Sequence, residues 1–345
     1  MNYGKNLRRV GVWVVAALSM GLWTLQVSAQ TLHLDPKLVK GPDACGECHE
    51  KSLAAWRDTH HSKTFKDLPR NDKAREIADK LGVKRLKNDS ECVSCHFTSA
   101  TVKGESAPQA IAGITCESCH GAGVNYMAGH GDYGGKDAKA KDEAPAHKKA
   151  RLDKADAAGM IRPGNLYALA QNCYQCHTVP NEKLVNTGGH PAGSDFELVA
   201  WSQGEVRHNV WYSDGKVNKE AALERRRVMY VIGQALDLEY ALRGVAKATA
   251  KEKYAVAMAQ RAQKAALSIK KLVDSGVKVP EVAEILKIAA SAEVKLSNEK
   301  PLTAAADAVA VQARLISSKY NGSELAAVDA LLPAAAKYKG KAYTP

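Results

Sequence analysis

The sequence predicts a mainly α chain in two parts. A stretch of short helices and long loops, with little regular structure, is followed by an antiparallel helical bundle. Two observations carry this. All eight cysteines and all eleven histidines lie before residue 216. Up to that point hydrophobic periodicity is short and broken by glycine and proline; beyond it the chain is rich in Ala, Leu, Val, Lys and Glu with sustained helical spacing. The expected parts are a leader over 1–29, a first domain over 30–215 and a helical domain over 216–345.

The first 29 residues have the layout of a secretory signal. Lys5, Arg8 and Arg9 form a positive end, Val10 to Val27 is apolar, and Val27-Ser28-Ala29 offers a small-residue cleavage site before Gln30. Uncleaved, the same run is marginally long enough to anchor the protein in the membrane. Either way the folded part is expected outside the cytoplasm, in the periplasm.

The eight cysteines form four copies of one pattern. They are Cys45-Gly46-Glu47-Cys48-His49, Cys92-Val93-Ser94-Cys95-His96, Cys116-Glu117-Ser118-Cys119-His120 and Cys173-Tyr174-Gln175-Cys176-His177. In C-x-x-C-H two thiols add to the vinyl groups of a c-type haem and the adjacent His ligates its iron. Zinc sites or disulfides account for C-x-x-C alone. A His after all four pairs arises by chance roughly once in a million, so the pattern points to four covalent haems. Expected attachment residues are Cys45, Cys48, Cys92, Cys95, Cys116, Cys119, Cys173 and Cys176, with His49, His96, His120 and His177 as proximal iron ligands.

Residues 30–215 give each haem roughly 46 residues, too few for an ordinary core around every one. Aromatic residues make up only 6% of the chain, consistent with porphyrin supplying apolar bulk. Short helices are expected at the motifs, most clearly over 46–59, where Leu53 and Trp56 share a face. Lys136 to Lys154 reads as a solvated insertion or linker.

Net charge is +12, yet it does not describe a nucleic-acid binder. The leader carries three of the positive charges, and residues 30–215 hold 24 basic against 24 acidic side chains. Residues 216–345 hold 22 basic and 13 acidic. Haem propionates would turn the first part acidic, leaving the excess positive charge on the second.

In the second part Tyr254, Met258, Ala262, Ala265, Ile269 and Leu272 step by three and four. So do Val282, Ile285, Ala289, Ala292 and Leu296, and then Leu302, Ala305, Val309, Ala313 and Ile316. Breaks are expected at Gly244, Ser275-Gly276, Asn298 and Asn321-Gly322. Pro280 and Pro301 suit first turns, and Ser323 suits an N-cap. Four or five antiparallel helices result.

Seven histidines lie outside the motifs: His33, His60, His61, His130, His147, His190 and His208. They are the pool for the sixth iron positions, with His33 and His147 set aside for their polar surroundings. Met127 and Met160 are the methionine alternatives, and bis-His irons sit at lower potential than His/Met ones.

The run from Cys45 to Lys63 and the run from Cys116 to His130 resemble the tetrahaem cytochrome c family of nitrifiers, the cytochrome c five-five-four family, which accepts electrons from hydroxylamine oxidoreductase. The shared elements are the motif, the Trp56-Arg57-Asp58-Thr59 run, a His twelve residues after His49 and a His ten residues after His120. Motif order and approximate spacing match over about residues 40–215. The resemblance implies that His61 ligates the haem held by His120, and that His130 ligates the haem held by His49. It implies a five-coordinate haem at His96, and a distal ligand for the fourth haem from His208 or His190, with His208 preferred. The unused one of these, or His60, is available to cap the iron at His96.

Two functions follow. The first is a periplasmic electron carrier between redox partner proteins, without catalytic residues, whose basic helices steer an acidic partner or mediate self-association. The alternative is a haem enzyme acting on nitrite, nitric oxide or hydroxylamine at an open second haem. No C-x-x-C-K motif of the ammonia-forming nitrite reductases occurs, and four motifs are half the number in hydroxylamine oxidoreductases. These differences favour the carrier.

Overall fold

The computed structural model describes residues 34–88, 91–135 and 137–345. The expected leader and His33 lie outside them. The structure is mainly helical, as expected. Short helices come first: α1 (Pro42–Gly46), α2 (Glu50–Arg57), α3 (His60–Asp67), α4 (Asp72–Leu81) and α5 (Val93–His96). An antiparallel pair, β1 (Thr98–Ala100) and β2 (Gln109–Ala112), follows; Thr98 faces Ala112 and Ser99 faces Ala110 across a bulge. Then come α6 (Cys116–His120), α7 (Met127–His130), α8 (Pro145–Ala157), α9 (Leu166–His177), α10 (Glu182–Asn186) and α11 (Leu198–Ser202). The long helices are α12 (Leu223–Lys247), α13 (Lys253–Asp274), α14 (Pro280–Ser291) and α15 (Glu299–Lys319), with a 3₁₀ segment over Ser323–Leu331.

Local chemistry explains most boundaries. The side chains of Thr59, Asn71, Asn165 and Asn181 accept backbone N–H bonds at the starts of α3, α4, α9 and α10. Gly82, at φ 73°, ends α4 in the left-handed conformation that glycine tolerates. The helix expected over 46–59 is two helices. Gly46 lies so close to Leu53 that an added Cβ would fall 2.2 Å from Leu53 Cδ2, and the chain folds back through Glu47–His49.

Helix α12 is the centre of the bundle. Val231, Ile232, Ala235, Leu236, Ala241 and Leu242 leave no solvent-exposed surface, so it is apolar around most of its circumference. Helices α13 and α15 flank it, and α9 packs on it from the motif-bearing part. The break expected at Gly244 does not occur. A Cβ there would come within 2.6 Å of Met258 Cγ, so the glycine serves close helix approach inside α12. The breaks at Ser275-Gly276, Asn298 and Asn321-Gly322 do occur. The run from Val282 stops early: α14 ends at Ser291, leaving Ala292 and Leu296 outside it. Gly322, at φ 103°, takes the N-cap position expected of Ser323. Of the expected insertion, residues 137–154 are exposed over most of their length and Lys136 lies outside the described residues; the second half is helix α8, and Arg151 is tied to Glu143.

One hydrophobic core runs from Leu166 to Val328 and so spans residue 216. Tyr167 Oη donates to Glu239 Oε2 at 2.7 Å, and Arg243 on α12 holds the other carboxylate oxygen at 2.9 Å. The last motif helix is thus locked to the bundle by both packing and a buried polar network.

Candidate haem-binding site

The motif residues sit on helix ends. Cys116 to His120 form α6, and Cys173, Cys176 and His177 form the last turn of α9. The helices place the two thiols and the imidazole of a motif along one side of a turn. None of the eight cysteines forms a disulfide; in a c-type cytochrome their sulfurs stand for thioether sulfurs. Cys45 hydrogen-bonds Cys116, and Cys95 hydrogen-bonds Cys176, bringing the first motif beside the third and the second beside the fourth. Asn172 donates to the Cys119 carbonyl at 2.9 Å, joining the third motif to the fourth. The hydrogen bond to Cys176 holds the Cys95 thiol down to about 7, while burial pushes Cys119 up to about 11.

Each motif histidine faces one histidine from elsewhere in the chain. Ring centroids are 6.1 Å apart for His49 and His130, 6.4 Å for His96 and His190, 6.1 Å for His120 and His208, and 6.2 Å for His177 and His61. The resemblance put His61 opposite His120; the fold puts it opposite His177 and gives His120 to His208. The implied pairing of His49 with His130 matches the observed proximity. His60 faces no motif imidazole, and its Nδ1 lies 2.6 Å from Glu205 Oε2. His147 hydrogen-bonds Glu143 at 2.7 Å. Among the described residues no three His, Cys, Asp or Glu side chains converge as a metal cluster; the imidazoles come in twos.

The spacing fits a haem iron. An imidazole nitrogen binds a metal ion at roughly 2.0 Å, and its ring centre lies about 1.1 Å further on, so two axial imidazoles place their centroids roughly 6.2 Å apart. Four pairs at that separation have room for one iron each.

The second nitrogen of these rings is also arranged. The Nδ1 atoms of His120, His130, His190 and His208 lie 2.9, 2.7, 2.9 and 2.8 Å from the carbonyls of Ile161, Met127, Pro191 and Val206. His177 Nδ1 meets Ser194 Oγ at 3.1 Å. A carbonyl accepts only from a protonated Nδ1, which leaves the lone pair on Nε2, the tautomer a metal requires. Burial, and then neighbouring imidazoles, push His96 and His177 down to about 4 and lower His49, with His61 and His120 also lowered chiefly by burial. These rings are held neutral, as ligands must be.

Several supporting residues carry no motif signal. Ser194 is positioned by Arg261 on α13, whose Nη1 donates to the Ser194 carbonyl at 2.9 Å while Nε pairs with Asp237 at 2.5 Å. Phe196 stacks on His177 at 4.5 Å and Trp211 lies 4.4 Å from His49. The indole N–H of Trp201 and Nε of Arg207 are buried without a partner among the described residues. Trp201 is 5.8 Å from His177, and Arg207 precedes His208. Backbone acceptors such as the Ile161 carbonyl have no sequence signature.

Residues 44–121 match the family described as cytochrome c554 and c-prime. The cytochrome c-554 of Nitrosomonas europaea is 31% identical over 166 residues, which cover 46% of this chain and 65% of that protein. The match thus spans just under two thirds of that relative's length. No solved structure matches this chain significantly. The similarity to the cytochrome c554 family is thus carried by residues 44–121, which contain the first three C-x-x-C-H motifs.

Proposed function

We propose that this protein is a four-haem c-type cytochrome that passes electrons between redox partner proteins in the periplasm. The observation that carries the reading is the set of four imidazole pairs at one common separation, each including the His of a C-x-x-C-H motif. The eight motif cysteines would hold the haems covalently. His49 with His130, His120 with His208, and His177 with His61 would hold three irons from both sides. The unpartnered donors of Trp201 and Arg207 suit propionate oxygens.

The haems supply one-electron redox chemistry. What the chain supplies is order and rigidity. The contacts Cys45–Cys116, Cys119–Asn172 and Cys95–Cys176 support a linear sequence of sites: first, third, fourth, second motif. Imidazoles tethered at Nδ1 keep the same ligands in both oxidation states, which keeps reorganisation on electron transfer small. No helix among the described residues is long and apolar enough to cross a membrane. The basic helices over 216–345 would steer an acidic partner.

The test is expression of the full chain in a host that matures c-type cytochromes, with haem counted by pyridine haemochrome absorbance against protein mass. Four covalent haems per chain are expected, reducible in one-electron steps. Fewer than four haems, or none resistant to acid–acetone extraction, would sink the reading.

A further inference from the structure

The cytochrome family that the motifs resemble leaves the haem of the second motif with one axial position free. The structure differs at that position. His190 faces His96 at 6.4 Å between ring centroids, within 0.3 Å of the other three pairs. Its Nδ1 is 2.9 Å from the Pro191 carbonyl, as His120, His130 and His208 are tied to carbonyls of their own, and Nε2 is left with its lone pair.

The loop that carries His190 is built rather than loose. After α10 the His190 N–H returns to the Leu184 carbonyl at 3.0 Å, and Gly188 N–H to Lys183 at 3.1 Å. Gly189 takes φ 76°, and a Cβ on Gly188 would lie 2.7 Å from the Leu184 carbonyl, so the turn depends on both glycines. Helix α10 is fixed on two sides. Towards the second motif, Asn181 Nδ2 donates to Glu91 Oε2 at 3.0 Å and Lys183 pairs with Glu91 at 3.5 Å; Glu91 directly precedes Cys92. Towards the bundle, Glu182 accepts from Thr249 N at 2.9 Å and Ala250 N at 3.2 Å, and Asn186 Oδ1 accepts from Tyr254 N at 2.9 Å.

We propose that His190 is the sixth ligand of the iron held by His96, so that all four irons are axially saturated and the bundle helps to hold this ligand in place. The inference rests on the four-haem reading above. It makes the second haem a relay like the others, closed to nitric oxide, carbon monoxide and hydroxylamine.

The experiment is electron paramagnetic resonance and near-infrared magnetic circular dichroism of the oxidised holoprotein, after its haem content has been measured, with carbon monoxide titration of the reduced form. Four low-spin bis-imidazole haems and no carbon monoxide uptake are expected. In His190→Ala one haem per chain becomes high-spin and takes up one equivalent of carbon monoxide, and added imidazole restores the low-spin signal. His190→Met, which keeps an axial ligand and protects against misfolding, raises the potential of one haem only. A high-spin haem in unaltered protein carrying four haems overturns this inference alone, as does a His190→Ala variant that keeps four low-spin haems. Fewer than four haems in the unaltered protein overturns the four-haem reading, and this inference falls with it.

Discussion

Gly113 shows how closely the backbone serves a side chain in this molecule. A Cβ there would lie 2.0 Å from the His61 carbonyl and 2.6 Å from Thr64 Oγ1, and Ile114 N–H already donates to that His61 carbonyl at 3.0 Å. The end of β2 therefore sets the height of His61 against His177. Gly113→Ala should cost about 2 kcal/mol through forced displacement of α3. In holoprotein it should also broaden the low-spin ferric signal of one haem. Chemical denaturation and electron paramagnetic resonance on the same preparation check both effects. Arg261 acts at the same scale from the other side. It pairs with Asp237, both side chains being nearly buried, and holds the carbonyl of Ser194. Arg261→Ala leaves a buried carboxylate alone, so a loss of about 3 kcal/mol in denaturant-measured stability is expected; an unchanged midpoint would remove Arg261 from the support of His177.

At the level of elements, α8 acts as a strut for α7. Arg151 on α8 makes a fork to Glu143, with contacts of 2.7 and 2.6 Å, and also donates to the carbonyl of His130. The Arg151 guanidinium, with His147 also bonded, pulls Glu143 down from 4.5 to about 2. The folded protein therefore keeps this carboxylate ionised where an unfolded chain would protonate it. Its contribution is complete above pH 4.5 and is lost as pH falls towards about 2. Glu143→Gln should lower stability near neutrality and flatten the decline below pH 4.5, as read from thermal midpoints across pH. An acid limb identical to that of the unaltered protein would show that the pair does not couple to folding. In the bundle, Gly244 brings α12 against α13. Gly244→Val places a branched side chain where a Cβ already meets Met258, and should cost about 2 kcal/mol without changing helical content by circular dichroism.

For the whole molecule, charge is divided more sharply than mass. The motif-bearing part is balanced as protein and would become acidic with haem propionates, while residues 216–345 carry 22 basic against 13 acidic side chains. A partner drawn by the basic face should be reduced or oxidised several-fold more slowly at roughly 0.15 M than at roughly 0.01 M ionic strength, as screening shortens from about 30 to about 8 Å. Stopped-flow rates with an acidic electron carrier measure this, and rates indifferent to salt would leave the bundle with a purely architectural role. That role is already visible in the fold. Arg261 reaches from the bundle to the Ser194 carbonyl beside His177, and the backbone of Thr249, Ala250 and Tyr254 to Glu182 and Asn186 of α10, which leads into the turn bearing His190.

The sequence by itself determined the four C-x-x-C-H motifs, the reading of them as haem-attachment sites, and the approximate spans of α13, α14 and α15. These are local properties: a thiol pair next to an imidazole is complete within five residues, and a helix declares itself by the three-and-four step of its buried side chains. Tertiary structure alone decided which histidine faces which motif. His61 and His177, or His120 and His208, are far apart in the chain, and no spacing rule relates them. Their meeting depends on α9 docking against α12 and on Gly113 admitting α3, as the meeting of His96 and His190 depends on the turn at Gly188-Gly189. The misplaced break at Gly244 has the same cause. A glycine in a helical run reads as an end when only its own propensity is weighed, and as a contact once a second helix lies against it.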